Sequence, residues 1–122
     1  MATDFTSGAP IYLQLIDEMH RLVIAGEWPP GSKVPPVRDL ALRFSVNPNT
    51  MQRALAEMER GGLMQAERTS GRFVTQDKEL IAAMKHELAV KELSAFLARM
   101  KQMGYTLPEI IALMEENDHA NP

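Results

Sequence analysis

Residues 45–53 constrain the fold of this chain most, because they fix where a helix begins and what it exposes. They read Ser-Val-Asn-Pro-Asn-Thr-Met-Gln-Arg. Asn47 can cap a helix by accepting a hydrogen bond from a backbone N–H group, and Pro48 suits the first helical turn, where its missing N–H costs nothing. The polar residues on the exposed face of this helix are Asn49, Thr50, Gln52 and Arg53. Such side chains bond to base edges and phosphates, so the stretch predicts a DNA-reading element.

A second helix and a β-hairpin are predicted on either side of this element. Apolar spacing predicts a helix over residues 37–44, and the helix from Asn47 should end at the Gly61-Gly62 pair. The second of these helices is expected to bury Met51, Ala54, Leu55 and Met58. Residues 63–67 and 72–76 predict two short strands joined by residues 68–71. A helix, a turn, a helix and a hairpin in this order predict a helix-turn-helix with a β "wing".

An earlier helix begins at Pro10. Its apolar stripe consists of Tyr12, Leu15, Ile16, Met19, Leu22 and Val23. Gly26 suits a left-handed helix cap, and Trp28 is expected to fold back onto the core. Residues 33–35 should be extended, since a residue before proline avoids the helical conformation.

The C-terminal part predicts two more helices, a long one over residues 78–103 and a short one after Thr106. Gly104 suits a cap for the first, and Thr106 with Glu109 forms a capping-box pattern for the second. The tail from Asn117 is polar and expected to be loose. About forty residues in two helices cannot bury both apolar faces unaided, so they must pack on the N-terminal domain, on a second copy of the chain, or on both. The apolar stripe favours a second copy, and we expect a homodimer. The expected dimerisation residues are Leu88, Ala89, Leu93, Phe96, Leu97, Met100, Ile110 and Met114.

The predicted fold class is therefore mainly α with a small β-hairpin. We expect a flexible N-terminus over residues 1–9 and a winged helix-turn-helix domain over residues 10–77. A two-helix dimerisation segment should follow over residues 78–118, with a tail over residues 119–122.

The charge distribution is compatible with a nucleic-acid partner although the whole chain carries a net charge of −3. Residues 33–72 hold seven basic and four acidic residues, a local charge of +3. The acidic excess lies from Glu79 onwards, with four basic and seven acidic residues. The predicted DNA-binding part is therefore mildly basic.

Several classes of function find no support in the sequence. The chain has no cysteine, which excludes disulfides and thiolate sites. Its three histidines, His20, His86 and His119, share no metal-ligand spacing, so we expect no metal site. No nucleophile with a base, phosphate loop or cofactor motif is present, and we expect a protein without cofactor or enzymatic activity. No segment predicts a signal peptide or a membrane span, so we expect a cytoplasmic protein.

Two alternatives to DNA reading stay open at this stage. The polar face of the predicted third helix could be solvated surface, or the winged domain could be a protein–protein interaction module without sequence-specific DNA binding. The nine methionines fall mostly on apolar stripes, where core filling accounts for them, although some could line a site for a small-molecule effector.

From residue 10 to residue 76 the chain resembles the GntR family of bacterial transcription regulators. The matching phrases are residues 10–15 (Pro-Ile-Tyr-Leu-Gln-Leu), 24–31 (Ile-Ala-Gly-Glu-Trp-Pro-Pro-Gly), 35–41 (Pro-Pro-Val-Arg-Asp-Leu-Ala) and 71–74 (Gly-Arg-Phe-Val). The short C-terminal part, with Gly104-Tyr105 between two helices, resembles the YtrA-type subfamily. Residues 47–50 also suit that subfamily.

The resemblance implies a dimeric regulator on a palindromic operator in double-stranded DNA, which we expect to be a repressor, of a kind often linked to transporter operons. It places Arg38, Thr50 and Gln52 at DNA-contact positions and Gly71 in a wing that approaches the minor groove. The wing arginines Arg68 and Arg72 are also expected to reach DNA, since arginine suits phosphates or guanine. With the residues derived above, the expected DNA-binding set is Arg38, Asn47, Pro48, Asn49, Thr50, Gln52, Arg53, Arg68, Gly71 and Arg72. The chain departs from the family pattern at Pro48 and Gln52, where many members have arginine, so its base preference cannot be taken from those members. It also departs at Pro36, where a serine often caps the second helix, and at Thr69, where a glycine is often found at the wing tip.

Overall fold

The computed structural model describes residues 9–120, which form five helices and one two-stranded antiparallel sheet. In chain order the elements are α1 (Ile11–Ile24), α2 (Val37–Phe44), α3 (Pro48–Arg60), β1 (Met64–Glu67), β2 (Gly71–Val74), α4 (Lys78–Gln102) and α5 (Leu107–Ala120). The mainly helical fold with one small hairpin is thus confirmed. Most of the expected flexible N-terminus, and residues 121–122 of the expected tail, lie outside the described residues.

The chain divides into two compact units inside α4, one up to Met84 and one from Lys85. The first turns of α4 belong to the N-terminal unit, because Leu80, Ile81 and Met84 pack on its core. The expected boundary after residue 77 stays a prediction about independent domains. Within residues 9–120, no helix has the length and apolar content needed to cross a bilayer.

The core of the N-terminal unit forms where α3 packs against both α1 and α2. Residues at helical spacing supply it, as the sequence predicted: Leu15, Met19 and Val23 from α1, Leu40, Ala41 and Phe44 from α2, and Met51, Ala54, Leu55 and Met58 from α3 are buried. Trp28 folds back onto this core and is only 6% exposed, as expected. The burial on two sides fixes α3 and leaves its third side at the surface.

The wing is a two-stranded hairpin with a third extended segment beside it. In the β1–β2 pair Met64 lies opposite Val74 and Glu67 opposite Gly71. Each strand is one residue shorter than the predicted ranges 63–67 and 72–76, and β2 begins one residue earlier, at Gly71. The pairing register continues one step beyond the strands, since the Thr75 N–H donates to the Leu63 carbonyl. The extended segment predicted at residues 33–35 lies along the other edge of β2, where the Val34 N–H donates to the Arg72 carbonyl at 2.9 Å.

The C-terminal unit consists of the rest of α4 and α5. Gly104 has a φ of +92° after the end of α4, the left-handed conformation in which glycine carries no Cβ penalty. The sequence predicted a loose tail from Asn117, and this was wrong, since α5 continues to Ala120. The physical reason is that no glycine or proline interrupts residues 109–120, so nothing in the local sequence ends the helix earlier.

Candidate nucleic-acid interface

The outward face of α3 carries polar side chains, as its sequence predicted. Asn49, Gln52 and Arg53 are exposed, and Thr50 is half-buried. These residues lie on the side of the helix opposite its buried apolar stripe. A helix of this kind can lay its free side into a groove while its other sides remain packed on the domain.

The N-terminus of α3 is capped as predicted. The side-chain oxygen of Asn47 accepts a hydrogen bond from the backbone N–H of Asn49 at 2.8 Å, and Pro48 occupies the first turn without an N–H to satisfy. Among the described residues, the Thr50 N–H then has no hydrogen-bond partner. This amide group can therefore donate to a phosphate at the positive end of the helix dipole.

Arg53 does not extend freely into solvent. Its guanidinium carbon lies 3.8 Å from the centre of the Tyr12 ring on α1. The two side chains form one wall of a shallow depression of about 400 Å³, which Ile11, Asn49 and Thr50 complete. The sequence assigned Tyr12 to the core stripe of α1 alone and gave no sign of this contact, because the two residues are far apart in the chain.

The exposed residues of α2 begin with Arg38, which lies in its first turn. Pro36 precedes this helix without any side-chain cap, in agreement with the missing serine noted in the sequence. Arg43 is less available, since its guanidinium forms an ion pair with Glu27 at 3.0 Å and lies over the Phe44 ring. Arg38 is therefore the better placed cation of α2 for a backbone contact.

The wing brings Arg68 and Lys33 to the surface. Both side chains are exposed, and the Lys33 chain lies close to Gly71, where an added Cβ would be 3.2 Å from the lysine Cε. Gly71 also has a φ of +104°, so this position favours glycine on two grounds. The place of Lys33 beside the wing tip puts a positive charge there.

Arg72 differs from the other expected contact residues because a carboxylate already binds it. Its Nε donates to the Glu59 carboxylate near the end of α3, and the two side chains are only 21% and 30% exposed. This pair joins β2 to α3 directly. Glu59 neutralises the charge of Arg72, whereas no carboxylate is paired with Arg38, Arg53 or Arg68 among the described residues.

No cluster suggests metal chemistry in the part of the chain that the structure describes: nowhere do three histidine or acidic side chains come together there. The arrangement instead combines a capped polar helix, exposed cations and a hairpin on one small domain. The family model for bacterial regulatory proteins of the gntR family matches residues 11–74. The chain belongs to the GntR family.

Two relatives from Bacillus subtilis (strain 168) match nearly the whole of this chain. The chain is 38% identical over 111 residues to the uncharacterized HTH-type transcriptional regulator YhcF, and the match covers 91% of this chain and 92% of that relative. The chain is 31% identical over 114 residues to the HTH-type transcriptional repressor YtrA, and the match covers 93% of this chain and 88% of that relative. The resemblance to YtrA-type members is thereby confirmed.

Solved structures match this GntR protein in the same way. A GntR family transcriptional regulator from Listeria monocytogenes superposes with a TM-score of 0.82 at 32% identity, covering 92% of this chain and 98% of that one. The DNA-binding domain of AraR, solved in complex with operator ORE1, superposes with a TM-score of 0.53 at 25% identity. This match covers 60% of the present chain and 89% of the AraR chain. The protein is therefore a GntR-family transcriptional regulator with DNA-binding relatives.

Proposed function

We propose that this protein is a transcriptional repressor that binds a palindromic operator as a homodimer, with α3 in the major groove and the wing alongside. The observation that carries this proposal is the capped α3 with its polar outward face. The names of two similar proteins support it, since one is a repressor and the other was solved on its operator. Residues 10–77 would be the DNA-binding domain and residues 78–118 the dimerisation domain.

Within the proposed interface, each side chain has a role that follows from its chemistry. Asn49 and Gln52 present an acceptor and a donor, which suits adenine in the major groove, and Thr50 can bond to a base or, through its N–H, to a phosphate. Arg38, Arg53 and Arg68 suit phosphates or guanine. The backbone of Gly71 allows the wing tip to lie close to the minor groove. Arg72 would support the wing while it stays paired with Glu59.

The proposed dimer follows from apolar surface on the C-terminal unit. Leu93 and Met114, both members of the expected interface, are each 51% exposed. Ile110 is fully buried in the single chain, so its part in an interface would be indirect. Two copies in a dimer would place two α3 helices on half-sites one or more helical turns apart.

Several finer features belong to the same proposal. Repression would result from excluding RNA polymerase at the operator, and a small-molecule effector could relieve it by shifting the relative orientation of the two DNA-binding domains. The resemblance to YtrA-type regulators suggests a transporter operon as the target. The protein would act in the cytoplasm, without catalysis and without a cofactor.

The test is selection of duplexes from a random-sequence pool by the purified protein, followed by affinity measurements at several salt concentrations. We expect enrichment of a palindrome, and binding that weakens with salt by a log–log slope of about −0.9 for each phosphate contact. Binding without enrichment would contradict sequence-specific regulation. Absence of binding at low salt would favour a protein-binding role.

Replacing Thr50 and Gln52 together by alanine should remove two of the proposed base contacts while leaving the phosphate contacts in place. Loss of good base contacts costs about 1–3 kcal/mol each, so the preference for the selected duplex over a scrambled one should fall at least about tenfold. The salt slope should not change, because neither side chain is charged. Fluorescence anisotropy on both duplexes measures both quantities.

The matched control is Arg38→Gln, which removes one expected phosphate contact. This variant should lower the magnitude of the salt slope by about 0.9 per lost contact and keep the preference for the selected duplex. If Thr50→Ala with Gln52→Ala left selectivity intact, the assignment of α3 as the reading helix would be wrong.

A further inference from the structure

Tyr12 links α1 to the exposed face of α3 through its contact with Arg53. The ring is half-buried and packs against the core of the N-terminal unit, so its position is fixed by the domain. The Arg53 guanidinium lies against this ring, with its carbon 3.8 Å from the ring centre. A cation within about 6 Å of a tyrosine ring centre is attracted to the electron-rich face.

Acidic side chains do not compete for Arg53 in the part of the chain that the structure describes. The two glutamates further along α3 have other partners: Glu57 pairs with Arg60 at 2.8 Å, and Glu59 pairs with Arg72. The Tyr12 ring is therefore the contact that fixes where the Arg53 guanidinium lies.

This contact places the guanidinium beside the first turn of α3. Arg53 and Tyr12 line the same depression as Asn49 and Thr50, the polar residues nearest the start of the helix. A long arginine side chain loses rotamer freedom when it binds a partner, and this loss weakens binding. A side chain that is already held in place loses less, and its planar donor groups remain available at their edge.

We propose that Tyr12 is a positioning residue for DNA recognition, whose ring holds the Arg53 guanidinium beside Asn49 and Thr50 before DNA binds. The ligand of Arg53 is a phosphate or a guanine edge of double-stranded DNA. This inference rests on the proposed function and adds to it a residue of α1 outside the helix-turn-helix. It assigns Tyr12 two roles, one in the core and one in recognition.

The experiment is a double-mutant cycle with Tyr12→Leu and Arg53→Gln, with affinity measured on the duplex that the wild-type protein selects from a random-sequence pool. Tyr12→Leu should weaken binding about two- to fivefold, the size expected from losing an exposed cation–π contact. In the Arg53→Gln background the same change should have less than about a twofold effect. Such non-additivity is the signature of two residues that act together.

Conservative variants separate positioning from other roles of Tyr12. Tyr12→Phe keeps the ring and should retain wild-type affinity, whereas an equal loss in Tyr12→Phe and Tyr12→Leu would assign the effect to the hydroxyl group and overturn the proposal. Arg53→Lys keeps the charge but loses the planar group, and since its side chain is exposed it does not threaten the fold. It should weaken binding, because an ammonium group lacks the planar donor edge of the guanidinium.

Arg60 provides the matched control, because it is an exposed arginine of α3 that pairs with Glu57. In an Arg60→Gln background, Tyr12→Leu should keep its full effect on affinity. If Tyr12→Leu weakened binding equally in the Arg53→Gln and Arg60→Gln backgrounds, Tyr12 would act through the fold or by its own contact, and the proposal would be wrong. Thermal unfolding of each variant checks that the domain remains folded.

A measurement without DNA separates failure of this inference from failure of the proposed function. The Nε–Hε resonance of Arg53 should show a ring-current shift in the wild-type protein that Tyr12→Leu removes and Tyr12→Phe retains. If the shift is present but no duplex is selected, the contact exists and the regulator function fails, and the recognition role fails with it. If a duplex is selected but the shift is absent, the function stands and the positioning role is overturned.

Discussion

At the scale of single residues, Ser45 determines how the chain turns from α2 into α3. It has a φ of +55° and a ψ of +47°, the left-handed conformation. The Val46 N–H donates to the Ala41 carbonyl at 2.9 Å, and the Ser45 N–H donates to the Leu42 carbonyl at 3.2 Å. These two bonds form a Schellman motif, in which the residue after the helix is left-handed. The motif ends α2 and sets the direction of the chain two residues before α3 is capped.

Replacing Ser45 by valine should destabilise the protein. A left-handed conformation costs an ordinary side chain about 1–2 kcal/mol, a cost that serine already bears in part, and a β-branched side chain tolerates it worst. We therefore expect valine to lower the free energy of unfolding by about 1 kcal/mol. Urea unfolding at constant m-value measures this loss. Ser45→Asn is the matched control and should stay within about 0.5 kcal/mol of wild type, since asparagine adopts this conformation readily. Equal stability of the two variants would show that the turn has rearranged.

At the scale of elements, one ion pair connects the wing to α3. Glu59 lies near the end of α3 and Arg72 in β2, and both side chains are less than one-third exposed. Together with the bond from the Val34 N–H to the Arg72 carbonyl, the pair ties β2 both to α3 and to the preceding extended segment. The wing is therefore fixed to α3, as the proposed contact of both elements with one DNA site requires.

Glu59→Ala should destabilise the protein by about 1–2 kcal/mol, because it leaves a largely buried guanidinium without its charged acceptor. The matched control is Glu57→Ala, which removes the pair with Arg60, whose side chain is 75% exposed. An exposed pair between neighbouring helical turns is worth about 0.3–0.5 kcal/mol, so this control should lose about that much. Urea unfolding compares the two, and equal losses would contradict a structural role for the Glu59–Arg72 pair.

The start of α5 is capped by a titratable side chain, that of Glu109. The Thr106 N–H donates to the Glu109 carboxylate at 2.9 Å, and the Thr106 hydroxyl lies 2.9 Å from the same oxygen. These hydrogen bonds, first from the backbone and then from the side chain, lower the pKa of Glu109. The predicted capping box is confirmed in the part where the glutamate reaches back to the cap residue.

The lowered pKa of Glu109 predicts how this cap depends on pH. A carboxylate with a lowered pKa in the folded state adds stability above its unfolded pKa, and this stability is lost as the pH falls through the folded pKa. The stability difference between wild type and Glu109→Gln should thus be present at neutral pH and disappear in acid. Nuclear magnetic resonance titration should give Glu109 and the Thr106 amide one shared midpoint, below the ordinary glutamate value. A midpoint at or above that value would exclude the hydrogen-bonded cap in solution.

At the scale of the whole molecule, the two units differ in how well one chain buries their apolar residues. The N-terminal unit has a continuous core from α1 to the start of α4. In the C-terminal unit many large apolar residues remain exposed: Val90, Leu93, Met103, Tyr105, Leu107, Ile111, Leu113 and Met114. Exposed apolar surface on this scale marks an interaction site, and this is the physical basis of the proposed homodimer.

Leu93→Asp combined with Met114→Asp should convert the proposed dimer to a monomer, because each half-exposed side chain would place a charge in the proposed apolar interface. Sedimentation velocity at micromolar concentration measures the state. Leu42→Asp is the matched control, since Leu42 is also apolar and is 74% exposed, but lies in the N-terminal unit. The control should remain dimeric. A dimer that survives the double change would place the interface elsewhere.

The local sequence by itself determined the order of the elements and the polar face of α3. The Asn47-Pro48 start, the apolar spacing of α2 and α3 and the Thr106–Glu109 pattern all act over three or four residues, so they can be read along the chain. The left-handed conformation of Ser45 could not be predicted, because no glycine stands at that position. The extension of α5 beyond Asn117 could not be predicted either, because a polar composition is compatible with both a loose tail and an exposed helix.

Only the tertiary structure decided which side chains of the candidate interface are held and which are free. The Glu59–Arg72 pair spans 13 residues, and the Tyr12–Arg53 contact and the approach of Lys33 to Gly71 span more. Short-range periodicity carries no information about such pairs, since they form only when packing of the core brings separate elements together. Burial of Ile110 in a single chain has the same origin, because helical spacing predicts an apolar face but not what covers it.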